Sequence, residues 1–247
     1  MNTHVNPQDA TIDERVPTGI AGFDEILRGG LPAHRVHLIE GSPGTGKTTI
    51  ALQFVLDGVA RGETCLYVSL SETAKELRAV AHSHGWNLDG LVIRELTPSE
   101  TTLARRTQYS LFHPAEVELS DTLADLVEQV TQLKPSRVVV DSLSEMRALA
   151  SEPARYRRQI LALKQFFVDR GCTVLLVDDG ADRSGELDVQ SIAHSAIRLE
   201  QRTGEYGAKR RRLEVIKLRG VDYRDGRHDY RIVKGGVLVH PRLVAHF

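Results

Sequence analysis

The stretch "GSPGTGKT", Gly41 to Thr48, carries residue types at a spacing suited to one task, the holding of a phosphate chain. Gly41, Gly44 and Gly46 let the backbone wrap tightly and turn successive N–H groups inward as a nest for anionic oxygens, and Ser42, Pro43 and Thr45 complete the loop. Lys47 offers a full positive charge to the outer phosphates and Thr48 a hydroxyl for Mg²⁺, while Thr49 either packs or lies near the innermost phosphate. The apolar run "RVHLIE" precedes the loop and the amphipathic "KTTIALQFVLDGVA" follows it. The loop therefore sits between a strand and a helix whose positive N-terminal end adds to the site.

Such a site needs a carboxylate to hold the metal through water. Two apolar runs end in one: "RVVVD" at Asp141, with Ser142 beside it, and "TVLLVDD" at Asp178 and Asp179. Asp141 is favoured, on the expectation that its strand lies beside the phosphate strand; the other reading makes it a cap on the next segment. Asp178 reads equally as a sensor of the γ-phosphate or as a loop residue. A third run, "YVSLSE", stops on Ser71 and Glu72. From the residues alone, Glu72 is either a base for an attacking water or a first-turn acid of the following helix, with Ser71 as N-cap.

The elements that must position these groups alternate between apolar runs and amphipathic segments. A short helix in "PTGIAGFDEILRGGLP" ends at a hard stop of Gly29, Gly30 and Pro32. Strands are expected at "RVHLIE", "TCLYVSL", "LVIREL", "RVVVDS" and "TVLLVDD". Helices are expected over Lys47–Ala60, Thr73–His84, about Asp121–Leu133 with Ser120 as cap, and about Ala154–Asp169. That alternation spells βαβ units and a parallel sheet. After Asp188, three β-like runs, "AIRLEQR", "RRLEVIKLR" and "YRIVKGGVLV", are separated by short glycine-bearing segments and read as antiparallel additions. Thr97 to Leu119 shows no clear period and is read as an irregular excursion. Residues 1–15 read as a flexible polar arm, and residues 16–247 as a single α/β domain.

Composition limits the alternatives. With 32 basic residues against 33 acidic ones, a formal net charge of -1 gives no global field toward nucleic acid or membrane. Cys65 and Cys172 lack metal spacing and read as buried thiols in a reducing cytoplasm. No run approaches the roughly 18 apolar residues that a membrane span needs. The basic run Lys209–Arg212 lacks interleaved aromatics and reads as solvated turn charge rather than a nucleic-acid patch.

Several separated stretches together carry a family likeness: "PTGIAGFDEILRGGLPAHRVHLIEGSPGTGKT", "YVSLSET", "SHGWNL", "RVVVDSLS" and "RRRLEVIKLRG". The chain resembles the KaiC-like branch of the RecA/RadA/DnaB P-loop ATPases from about Val16 to Pro241. The resemblance implies a RecA-like fold, with a mostly parallel central sheet, flanking helices and antiparallel C-terminal strands. It also implies ATP and Mg²⁺ as cofactors, a homo-oligomeric ring, hexameric by expectation, with nucleotide bound between subunits, and regulatory protein partners. It gives Glu72 the role of general base, at the tip of the strand next to the phosphate strand. Clock-type members carry two consecutive glutamates there, and Ser71 replaces the first. Lys217 and Arg219 are implied to reach a neighbour's nucleotide, with Leu218 between them on the opposite face, and Ser83 to lie near the adenine. Val221 and Tyr223 stand where the family has further contacts. Ser191 and Ser195 lie near a site of self-phosphorylation in some members. The rivals are a DNA-processing ATPase of the RadA or DnaB type and a nucleotide-gated scaffold with little turnover or an autokinase.

Overall fold

In the computed structural model, residues 14–96, 114–150, 152–180, 189–204 and 207–243 are described. Almost all of the expected arm and residues 97–113 of the expected excursion lie outside them.

The parallel strands are β3 (Val36–Gly41), β4 (Cys65–Ser69), β5 (Val92–Glu95), β6 (Arg137–Asp141), β7 (Thr173–Asp178) and β8 (Ser195–Arg202). Three antiparallel strands, β9 (Arg210–Leu218), β10 (Arg227–Val233) and β11 (Gly236–His240), extend β8 outward. Among the described residues they form one nine-stranded sheet in the order β11-β10-β9-β8-β3-β7-β6-β4-β5. A two-residue pair, β1 (Arg15–Val16) with β2 (Leu31–Pro32), leads into it.

Alternating side chains send each parallel strand into two separate cores. Ile39, Tyr67 and Val139 pack with α1 (Ala21–Ile26), α2 (Lys47–Ala60) and α3 (Ala74–His84). Leu38, Val68 and Val140 pack on the other face with α4 (Pro114–Leu133), α5 (Leu143–Leu149), α6 (Pro153–Asp169) and α7 (Val189–Ile192). Burial on both faces explains the unbroken Val, Ile and Leu runs.

Four expectations are corrected. The helix expected from Asp121 begins at Pro114, a residue whose fixed φ suits a first helical turn, so Ser120 lies inside the helix and caps nothing. The run "YRIVKGGVLV" is not one strand: Gly235 and Gly236, at φ 97° and 116°, fold it into the hairpin β10–β11. The strand "RVVVD" is not beside the phosphate strand, because β7 lies between β3 and β6. The strand of Glu72, β4, is one place further still.

One buried residue ties these layers together. Arg137, 1 % exposed at the start of β6, pairs with Glu63 and Asp57 and donates to the carbonyls of Pro17 and Phe54. Gly58 makes room for it, since a Cβ there would stand 2.8 Å from the Arg137 Nε. A glycine inside α2 costs about 1 kcal/mol of helix stability, and that close approach accounts for it.

Candidate nucleotide-binding site

The loop Gly41–Gly46 joins β3 to α2 as expected, with Gly44 and Gly46 at φ 81° and 93°. Lys47, 8 % exposed, donates to the Gly41 carbonyl at 2.5 Å and to the Ser42 carbonyl at 3.2 Å. It also pairs with Asp179 at 3.0 Å. Thr45 closes the turn by donating to the Ser42 carbonyl at 2.8 Å, Ser42 and Pro43 are exposed, and Thr49 is buried in α2.

Side-chain parity lets a distant strand reach this loop. Asp141 shares a face with Val139, toward α2, and its Oδ2 accepts from the Thr48 hydroxyl at 3.0 Å. The same oxygen accepts from the buried Tyr67 hydroxyl at 2.6 Å. Burial raises the Asp141 carboxyl above its ordinary value, despite those two hydrogen bonds and the charge of Lys47. A hydroxyl and a carboxylate that already meet at 3.0 Å suit a divalent cation set between them and a phosphate chain.

Parity also separates the two aspartates at the end of β7. Asp178 points to the other face and pairs with Arg147 of α5. Asp179 is the one that reaches Lys47, and it accepts from Ser144 at 2.8 Å. Burial alone would raise the Asp179 carboxyl; the hydrogen bonds from Ser144 and Lys47 hold it below its usual range.

Glu72 precedes α3 and is not a first-turn acid of it. The N-cap of α3 is Thr73, and Thr73 and Glu76 complete a reciprocal capping box, so Ser71 and Glu72 have no part in it. Ser69 instead fixes the Glu72 backbone, accepting from its N–H at 3.0 Å and donating to its carbonyl at 2.5 Å. The Glu72 Oε2 is buried and has no hydrogen-bond partner among the described residues. Burial raises this carboxyl above its ordinary value, and the nearby charge of Asp141 raises it further. An ionisable oxygen kept dry, unpartnered and beside Asp141 is suited to taking a proton.

Lys217 and Arg219 stand elsewhere. β9 runs antiparallel to β8, so Leu218 pairs with Ser195 at the start of β8, at the end of the sheet opposite the loop. Alternation puts the two cations on one face, but an irregularity decides which face that is. Leu213 and Val215 are buried, and strict alternation would bury Lys217 too. A register shift between Ala196 and Ile197 in the pairing of β8 with β9 inserts an extra residue, turns Leu218 into the core and sends Lys217 and Arg219 outward. Lys217 donates to the Gln190 carbonyl and Arg219 to the Ser191 carbonyl at 2.9 Å, both in α7.

The remaining residues fall into place as follows. The Ser83 hydroxyl donates to the Val80 carbonyl of its own helix at 2.7 Å, and Val221 and Tyr223 pack against the core. Ser195 is fully buried and hydrogen-bonded to His37, which keeps its hydroxyl from solvent. The basic run is not simply solvated turn charge. Arg210 and Arg212 pair with Asp229, and Arg211 donates to the Gly44 carbonyl at 3.3 Å. Cys65 and Cys172 are free and buried, and burial pushes their thiols up to about 12 and about 11.

Sequence reasoning missed Tyr67, Ser69, Ser144 and Tyr230, and it named Asp179 only as a candidate metal carboxylate, not as the partner of Lys47. Tyr67 and Tyr230 carried a usable signal: a tyrosine inside a buried strand must find a partner for its hydroxyl. No helix among the described residues is long and apolar enough to cross a membrane.

The chain is similar to known proteins in sequence and in fold. The family model described as the KaiC ATPase matches residues 16–244. A UPF0273 protein of Thermotoga maritima is 33% identical over 92% of this chain and 96% of its own length. The circadian clock protein KaiC3 of Synechocystis is 27% identical over 92% of this chain, which spans 46% of that longer protein. The crystal structure of a KaiC-like protein from Pyrococcus horikoshii superposes with a TM-score of 0.75 at 25% identity, covering 92% of this chain and 99% of that one. With a P-loop, a strand-end carboxylate on its threonine and a mixed sheet of this order, the chain belongs to the KaiC-like ATPases of the RecA superfamily.

Proposed function

We propose that the protein hydrolyses ATP in a Mg²⁺-dependent manner at the boundary between copies in a ring, and that nucleotide state governs its binding to a regulatory protein partner. The observation that carries this reading is a division of groups between two ends of one sheet. Thr48 is joined to Asp141 and Lys47 to Asp179 at the end that bears the loop, with Glu72 beside Asp141, while Lys217 and Arg219 stand at the opposite end.

Each side chain then has a task. The loop N–H groups and Lys47 hold the phosphates, and Lys47 leaves Asp179 to do so. Thr48 and Asp141 would hold Mg²⁺, which would supply charge neutralisation to the phosphate chain. Glu72 orients the attacking water and takes its proton. Lys217 and Arg219 of a neighbouring copy leave the α7 carbonyls and stabilise the charge that develops on the outer phosphate, which makes hydrolysis depend on assembly. The pairing of Arg210 and Arg212 with Asp229 weighs against a nucleic-acid track, and the burial of Ser195 weighs against its phosphorylation.

Phosphate release and ATP binding, measured side by side on Glu72→Gln, test the assignment. Turnover should fall about 100-fold or more, the usual worth of a general base, while ATP affinity stays within about threefold. Unchanged turnover at unchanged assembly would remove Glu72 from the mechanism. A wild-type protein that binds ATP without releasing phosphate would favour the scaffold reading.

A further inference from the structure

The phosphate loop has an outer wall made by the C-terminal strands. The Tyr230 hydroxyl, buried on β10, donates to the Thr45 carbonyl at 2.5 Å. Arg211 of β9 donates to the Gly44 carbonyl at 3.3 Å. The Gln201 amide of β8, with its nitrogen facing that same carbonyl, donates to it at 3.0 Å. Ile232 lies so close that a Cβ on Gly46 would stand 2.6 Å from its terminal methyl.

These contacts bear on the direction of the loop N–H groups. A peptide unit is planar and trans, so fixing a carbonyl on one side fixes the next N–H on the other. A donor outside the loop at the Thr45 carbonyl therefore aims the Gly46 N–H inward, where an anion nest needs it. Glycine-rich peptides rotate freely and do not hold such an orientation alone.

We propose that Tyr230 is a positioning residue of the phosphate site, its hydroxyl holding the Thr45–Gly46 peptide with the N–H turned toward the phosphates, while Arg211 and Gln201 hold the preceding peptide. This rests on the reading of the loop as a nucleotide site. It makes the C-terminal hairpin, far away in sequence, a part of that site.

Tyr230→Phe keeps the ring and removes the one donor. Binding of ADP and of inorganic pyrophosphate, each with Mg²⁺, is measured by titration calorimetry on wild type, Tyr230→Phe and Arg211→Met, with far-UV circular dichroism to verify folding. Pyrophosphate reports on the nest without a base. Tyr230→Phe should weaken both ligands by the same factor, about tenfold, and Arg211→Met by about threefold. Unchanged dissociation constants in a folded Tyr230→Phe would overturn the proposal, and so would a loss for ADP that pyrophosphate does not share. Should Tyr230→Phe not fold, an unchanged Arg211→Met would overturn it. A wild-type protein that binds neither ligand would refute the nucleotide reading itself, a result distinct from either of these.

Discussion

Glu72 sits at a cost to the fold. Its carboxyl has a raised proton affinity because burial penalises the charge and Asp141 adds repulsion, and its buried Oε2 has no partner among the described residues. A carboxyl raised in the folded state contributes stability below its ordinary value near 4.5, and that contribution is lost as pH rises through the raised value. At neutral pH the ionised side chain is therefore a net cost, one that the proposed role as base would explain. Glu72→Gln, which stays neutral, should raise the thermal midpoint at pH 7.5 by about 2 °C while turnover falls about 100-fold or more. The opposite shift in differential scanning calorimetry would mean that the carboxylate has a stabilising partner. The same raised affinity predicts that wild-type turnover falls on acidification at a pH above 4.5, as the base becomes protonated.

At the scale of elements, β3 must be held firmly to present the loop, and His37 does much of this. The buried, neutral imidazole donates to the Pro32 carbonyl of β2 at 2.9 Å and accepts from the Ser195 hydroxyl of β8 at 2.7 Å, so one ring joins three strands. Burial lowers its pKa to about 3, and burial with the charge of Arg35 lowers that of His194 beside it to about 4. The unfolded chain takes up these protons near pH 6.5, while the folded chain resists them. Stability from both histidines is thus complete above 6.5 and drains away as pH falls toward the folded values. The thermal midpoint should drop between pH 7 and pH 5, and less steeply in His37→Gln. Equal slopes would show that His37 is not held neutral. Much of this architecture was legible in the sequence: the alternation that makes a parallel sheet, the loop between strand and helix, and Asp141 at a strand end all follow from local patterns. Strand order was not, because β3 and β4 neighbour each other in the chain while β7 and β6 come between them in space. Arg137 was also illegible, since a basic residue opening a strand looks like surface until Glu63 and Asp57 are folded around it. The outward turn of Lys217 hangs on a register shift that alternation cannot show.

On the scale of the whole molecule, the two halves of the proposed site lie at opposite ends of the same sheet, so under this proposal a subunit does not complete its own. Lys217 pairs beside Ala196, whereas Gly41 pairs beside Leu199, and β8 also lies between β9 and β3. In the proposed assembly two faces that differ make a head-to-tail contact, which gives a ring where the rotation closes and never a two-fold dimer. Within each subunit the two ends are linked through α7: Lys217 donates to the Gln190 carbonyl, and the Gln190 side chain donates to Glu40, just before the loop, at 2.7 Å. The central claim, that one active site takes Glu72 from one copy and Lys217 from the next, is open to a complementation assay. Glu72→Gln and Lys217→Ala are each prepared alone, then unfolded and refolded together, and phosphate release is compared at equal total protein in assemblies shown to contain both chains. Each variant alone should be nearly inactive, and the mixture should recover roughly a quarter of wild-type turnover, the share of boundaries at which an intact Glu72 meets an intact Lys217. A mixed assembly no faster than its parts, or a Lys217→Ala protein with full activity by itself, would contradict it.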